Sequence, residues 1–123
     1  MESKNLFTTV ANGATTSPGF WWKGWRFCNV SVGVTTNAGI DISLQVHIGA
    51  RPNIDDDTPA TGDAGWVGIE DAAGAALLVG TGHGAPAMGY APVEHLNGFS
   101  GHVRVKFSGD PGSDTAVRVQ GSH

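Results

Sequence analysis

Apolar and polar residues alternate along IDISLQVHI, residues 40–48, with Ile40, Ile42, Leu44, Val46 and Ile48 on one parity and Asp41, Ser43, Gln45 and His47 on the other. A period of two marks a strand with one buried face, because successive side chains of an extended chain point to opposite sides. FSGHVRVKF, residues 99–107, repeats the pattern: Phe99, Val103, Val105 and Phe107 face inward, and Ser100, His102, Arg104 and Lys106 outward. TAVRVQ then sends Thr115, Val117 and Val119 inward. SGDPGSD between these two runs has the Gly, Pro and Asp content of a chain reversal, which predicts a C-terminal hairpin. Further strands are expected at NLFTTV, RFCNVSVGV, GWVGIE and ALLVG, with TTNAG and DAAG as hairpin connections. No segment carries a sustained helical period.

About seven to eight short strands with Gly-rich turns predict an all-β fold, an antiparallel β-sandwich of jelly-roll-like form. Two connections are long, residues 50–64 and 81–98. Loops of that length in a small domain usually bind something or pack on a neighbour. Residues 1–19, with their Thr, Ser, Asn and Gly content, read as an extended arm preceding a sandwich over residues 20–123.

GFWWKGWRF, residues 19–27, interrupts this regularity, holding five of the ten aromatic residues of the chain. Adjacent Trp21 and Trp22 must face opposite sides of a strand, so one core cannot take both. The valines beyond Cys28 place Trp21, Trp25 and Phe27 on the outer parity unless a bulge near Gly24 or after Phe27 switches it. A compromise is expected, with Phe27 and one or two tryptophans inside and the others on a contact surface.

The remaining chemistry narrows the function. A net charge of −4 argues against a sequence-independent grip on nucleic acid. The single Cys28 excludes an internal disulfide, and no secretion signal or membrane-spanning stretch is expected. The five histidines show no zinc-ligand spacing, and Asp55, Asp56, Asp57 and Asp63 read as a solvated acidic loop lacking the EF-hand order. VGTGHG reads as a mobile Gly-rich loop, because Pro86 follows where a phosphate-binding helix would start. No nucleophile, acid or base constellation emerges, so neither an enzyme nor a cofactor is expected. His47 and His102 stand on strands that could bring them together across a sheet. His102, Arg104 and Lys106, extended by Arg118 on the next strand, read as a small basic face, suited to an acidic surface such as Asp55 to Asp57 of a neighbouring copy.

From residue 25 onward the valine-rich RFCNVSVGV, IDISLQVHI with its polar loop, the short GWVGIE and the final VRVKFSGDPGSDTAVRVQG resemble small β-sandwich head decoration or stabilising proteins of tailed bacteriophages. The resemblance implies a non-enzymatic virion protein, made in the host cytoplasm, that binds the outer surface of the major capsid protein as a homo-oligomer, with a trimer preferred. It implies neither a nucleic-acid nor a membrane partner. The expected contact residues are Phe20, Trp21, Trp22, Trp25, Asp55, Asp56, Asp57, Arg104 and Arg118. The aromatic cluster and the segment around His83 depart from that pattern, so no docking residues carry over. The competing expectation is a carbohydrate-binding or adhesin-like module that stacks sugars on exposed tryptophans.

Overall fold

The alternation over residues 40–47 is realised in a computed structural model, which describes residues 3–23, 27–47, 65–70, 73, 78–84, 87–91 and 100–122. Ile40–His47 is a strand whose Ile40, Ile42 and Leu44 are buried while Asp41, Ser43, Gln45 and His47 are half-buried. Ser100–Phe107 lies antiparallel beside it, Ile42 opposite Phe107 and Val46 opposite Val103. The strands in chain order are β1 (Ser3–Val10), β2 (Phe20–Lys23), β3 (Phe27–Val32), β4 (Ile40–His47), β5 (Trp66–Gly68), β6 (Leu78–His83), β7 (Ala87–Ala91), β8 (Ser100–Phe107) and β9 (Thr115–Ser122).

These strands form two antiparallel sheets, β1-β9-β3-β7 and β2-β8-β4-β5, with β6 also paired to β4. Strand β5 pairs with Gln45 to His47, and β6 pairs with the Ile40 to Ser43 stretch, so the two lie end to end along one edge of β4. Counted as one strand position, they complete the order of a jelly roll, and the expected all-β sandwich is the observed fold. Residues 15–17 extend β2 in the same way along the opposite edge of β8. The Ser17 amide donates to the Val105 carbonyl (3.0 Å), and the Phe107 amide donates to the Thr15 carbonyl (2.7 Å).

The inner faces meet in one core of Val10, Phe20, Trp22, Val30, Val32, Ile40, Ile42, Leu44, Val103, Val105, Phe107, Val117 and Val119. Trp22, its largest side chain, lies opposite Gly101 on β8, where the absence of a side chain leaves room for the indole.

Several expectations change because the chain passes between sheets at most of its connections. Strands β8 and β9 lie in different sheets, so SGDPGSD is an arch across the sandwich and not a hairpin turn. The same holds for TTNAG between β3 and β4, and β5 and β6 run along β4 without pairing with each other among the described residues. Arg118, on β9, therefore belongs to the sheet opposite Arg104, and the basic face expected to join them does not form. Residues 81–98 are not one long loop, since they contain the end of β6 and all of β7. His83 is buried at the end of β6, where its Nε2–H donates to the Gly33 carbonyl at 2.7 Å. Ser3–Val10, expected within an arm, is an edge strand paired along its whole length with β9, and Val10 reaches the core. The loop at 50–64 lies outside the described residues.

The arch between β8 and β9 also fastens the turn that follows β1. Asp110 Oδ1 accepts the amides of Gly13 (2.9 Å) and Gly112 (2.8 Å), and Asp114 Oδ1 accepts that of Asn12 (2.9 Å). Gly112 is needed there twice over: its φ is +77°, and a Cβ would come within 2.9 Å of Asn37 Nδ2. The amides of Gly112 and then Gly13 stabilise the carboxylate of Asp110 and hold its pKa below 3.8.

Two outcomes follow from this framework. Trp22→Ala should lower unfolding free energy by about 3–5 kcal/mol in chemical denaturation, because the space opposite Gly101 cannot be refilled by a neighbour. Because the folded pKa of Asp110 is depressed, its contribution is present above the unfolded carboxylate pKa and is lost as pH falls through the folded value. Denaturation midpoints should therefore fall less steeply for Asp110→Ala than for the parent as pH drops below about 4, and an NMR titration should place the Asp110 midpoint below 3.8.

Candidate functional site

The outer face of the β2-β8-β4-β5 sheet ought to be its wet side, since the alternation that buries Phe20, Trp22, Val103 and Val105 turns Trp21, His102, Arg104 and Gln45 away from the core. Much of it is dry. Trp21 is 3% exposed, His102 2% and Arg104 7%, and Trp66 is buried as well. Strand β8 is buried on both faces from Gly101 to Val105.

Register explains how these side chains meet. Trp21 on β2 lies opposite His102 on β8, and His47 on β4 lies opposite Trp66 on β5. The β4–β8 ladder ends at Val46 opposite Val103, with His47 and His102 just beyond its end. The result is two ring pairs on one face of the sheet, Trp21 with His102 and His47 with Trp66. The rings of Trp21 and His102 meet edge to face with centroids 5.3 Å apart, and those of His47 and Trp66 do so at 5.1 Å. Gly65, which leads into β5, makes this approach possible: its φ is +86°, and a Cβ there would lie 2.8 Å from His47 Nε2.

The next position on this face carries the charge. Arg104 is directly opposite Gln45, and its Nε–H donates to Gln45 Oε1 at 2.7 Å. Its guanidinium carbon lies 4.5 Å from the centroid of the Trp66 ring. A desolvated cation over a tryptophan face gains about 2 kcal/mol, which offsets part of the cost of burying the charge. His102 Nε2 and Trp66 Nε1 are both buried with no hydrogen-bond partner among the described residues. Buried polar atoms without partners lower stability, and they concentrate where a fold serves something other than stability.

Beside this layer opens a cleft of about 540 Å³, walled by Gly13 to Thr16 on one side and floored by Gln45, Trp66, Arg104 and Lys106. The wall is fixed at both ends. Asp110 holds the Gly13 amide, and Ser17 Oγ accepts the Val105 amide at 3.0 Å while donating to the Pro18 carbonyl.

The residues expected to form a contact surface are thus redistributed. Phe20 and Trp22 belong to the core, Trp21 is buried on the outer face against His102, and Arg104 is buried beside Trp66, so none of the four is the exposed contact residue expected of it. The exposed-tryptophan platform expected of a sugar-binding module fails for Trp21 and Trp22 on the same ground. Arg118 stands on the other sheet, half-buried, with Nη2 reaching Ser31 Oγ at 3.5 Å. Trp25, Asp55, Asp56 and Asp57 lie outside the described residues. Sequence reasoning missed Trp66, Gln45 and the Gly13 to Thr16 wall. Gln45 was legible only as an outward residue of its strand, and Trp66 and the wall carry no periodicity, because they join the site through pairings distant in sequence. Comparisons with protein-family models, curated proteins and solved structures give no match.

Replacing His102 with Phe keeps a ring against Trp21 and removes the unpartnered nitrogen. His102→Phe should raise unfolding free energy by about 1 kcal/mol, read in denaturant melts; a loss of that size would mean that the imidazole has a polar partner.

Proposed function

We propose that this chain is a non-enzymatic structural protein of a tailed-bacteriophage virion, which binds the outer capsid surface as a homotrimer and stabilises the assembled shell. Jelly rolls are a recurrent architecture of viral capsid and lectin domains, which lends support at the level of fold analogy. The resemblance of the strand pattern to head decoration proteins supports the same class. Work of this kind needs no bond chemistry, since a protein that binds the assembled shell better than its free subunits shifts the equilibrium toward assembly by mass action.

The observation that carries the reading is Phe7. It stands on the outer face of the β1-β9-β3-β7 sheet, 77% exposed, in register with Arg118 and then Ser31. The residues beside it on the same face of β1, Asn5 and Thr9, are exposed too. A large ring left in water on a regular, uncurled strand is suited to a contact, and its burial is worth roughly 1.5–3 kcal/mol. With the aromatics of residues 20–22 inside the fold, this face takes over the contact role expected of them.

Mixed with capsid shells from the genome that carries the gene, the protein should cosediment to a saturable copy number and raise the melting temperature of the shell. Phe7→Glu should weaken that binding by about tenfold or more and leave the melting of the free protein nearly unchanged. A shell whose melting is unmoved by saturating protein would remove the reading.

A further inference from the structure

The turn that follows β1 holds chemistry that neither the outer layer nor the Phe7 face uses. Its two central residues are Asn12 and Gly13, both exposed. In such a pair the backbone nitrogen of the glycine can attack the asparagine carboxamide, since glycine has no Cβ to hinder the approach. Gly13 N bonds to Asn12 Cγ, the Cγ–Nδ2 bond breaks, and the Gly13 amide proton leaves with Nδ2 as ammonia. Water then opens the succinimide to aspartate or isoaspartate. The closure depends on loss of the glycine amide proton, because only the deprotonated nitrogen is a good nucleophile.

The fold acts on that proton. The Ala14 amide donates to the Ala11 carbonyl (2.9 Å) and Gly13 has φ +84°, the form of a type II turn with glycine at its third position. The turn's own bond does not engage the Gly13 N–H, and Asp110 Oδ1 accepts it across the arch at 2.9 Å. The same oxygen accepts the Gly112 amide (2.8 Å), so the carboxylate is positioned from within its own loop. Two effects then oppose ring closure. A charge-assisted bond holds the proton, and the carboxylate beside the nitrogen disfavours an amide anion by like-charge repulsion. Asp110 keeps its charge at neutral pH, since the Gly112 and then the Gly13 amide hold its pKa below 3.8. The Asn12 amide, which takes no part in the closure, is held separately by Asp114 Oδ1 (2.9 Å).

We propose that Asn12 is a site of spontaneous deamidation that Asp110 holds closed, so that modification proceeds only where the arch has parted from the turn. The product then keeps the two apart. Isoaspartate lengthens the main chain by a carbon ahead of Gly13 and displaces its amide from Asp110. Either product also adds a carboxylate near those of Asp110 and Asp114, which repel it. The released turn no longer fixes the Gly13 to Thr16 wall. No capsid enters this chemistry, so it stands or falls separately from the capsid-binding reading.

The test incubates the purified full chain in mildly alkaline buffer and follows the peptide containing Asn12 and Gly13 by mass spectrometry, with fragmentation that separates isoaspartate from aspartate. The folded parent should deamidate at Asn12 about tenfold or more slowly than the same chain in denaturant. Asp110→Ala should deamidate about tenfold faster than the parent, and Asp110→Asn, which keeps an acceptor oxygen and the side-chain shape, should fall between them. Asp114→Ala, which frees only the Asn12 amide, should stay within about threefold of the parent. Hydrogen exchange at the Gly13 amide removes the same proton, so it should be slow in the parent and faster in both Asp110 variants. The proposal is overturned by a parent that deamidates as fast as the denatured chain, by Asp110 variants at the parent rate, or by Asp114→Ala matching Asp110→Ala.

Discussion

Strand β8 is buried on both of its faces, and most of the molecule is arranged to satisfy that constraint. Its inner side chains, Val103, Val105 and Phe107, need only an apolar partner sheet. The outer ones, His102 and Arg104, need something harder to supply: neighbours that exclude water without stranding a charge. The neighbours come from every strand beside it. Trp21 closes over His102, Gln45 takes the Arg104 Nε–H, and Trp66 is carried in by β5 to lie under the guanidinium. Strand β8 keeps both edges covered as well, by β2 and residues 15–17 on one side and β4 on the other.

That arrangement accounts for features which look unrelated in isolation. Gly65 tolerates a positive φ and gives His47 the space to meet Trp66. The Asp110 carboxylate fixes Gly13 and thereby the wall that faces Arg104. Gly101 leaves its inner position empty, so that Trp22 fills the core while Trp21, the next residue back, packs on the other side of the same sheet. The polar layer on the outer face and the apolar core on the inner face are thus two products of one register.

The sequence carried the faces and not the partners. Alternation over residues 40–47 and 100–107 names the inward side chains correctly, because a strand shows its own two faces in its own residues, while Ile48 and Phe99 lie outside the described residues. Whether the next strand turns back beside it or crosses to the opposite sheet leaves no trace in that alternation, so SGDPGSD and TTNAG read as hairpins when both are arches. The opposition of Trp21 and Trp22 was legible for the same reason that the strands were. Their shared burial was not, since the outward parity of a strand says nothing about what covers that side. Strand β7, AMGYA, escaped notice because it is only five residues long, carries no β-branched side chain and lies in a Gly- and Pro-rich run. Trp66 joins Arg104 only through pairing between distant segments, and a local pattern cannot report such a meeting.

The pairing of β1 with β9 has a consequence for how the molecule comes into being. Ser3–Val10 is an edge strand whose only partner among the described residues is Thr115–Ser122. During synthesis β1 must wait, its ladder groups bonded to water, until β9, the last of the described strands, has left the ribosome. Sheet closure is therefore a late, long-range event, and such topologies fold slowly because loop-closure entropy is spent before the contacts form. Throughout that interval Phe7 sits on an open edge, so a nascent or truncated chain lacking residues 115–122 is the form of this protein most exposed to wrong strand pairing.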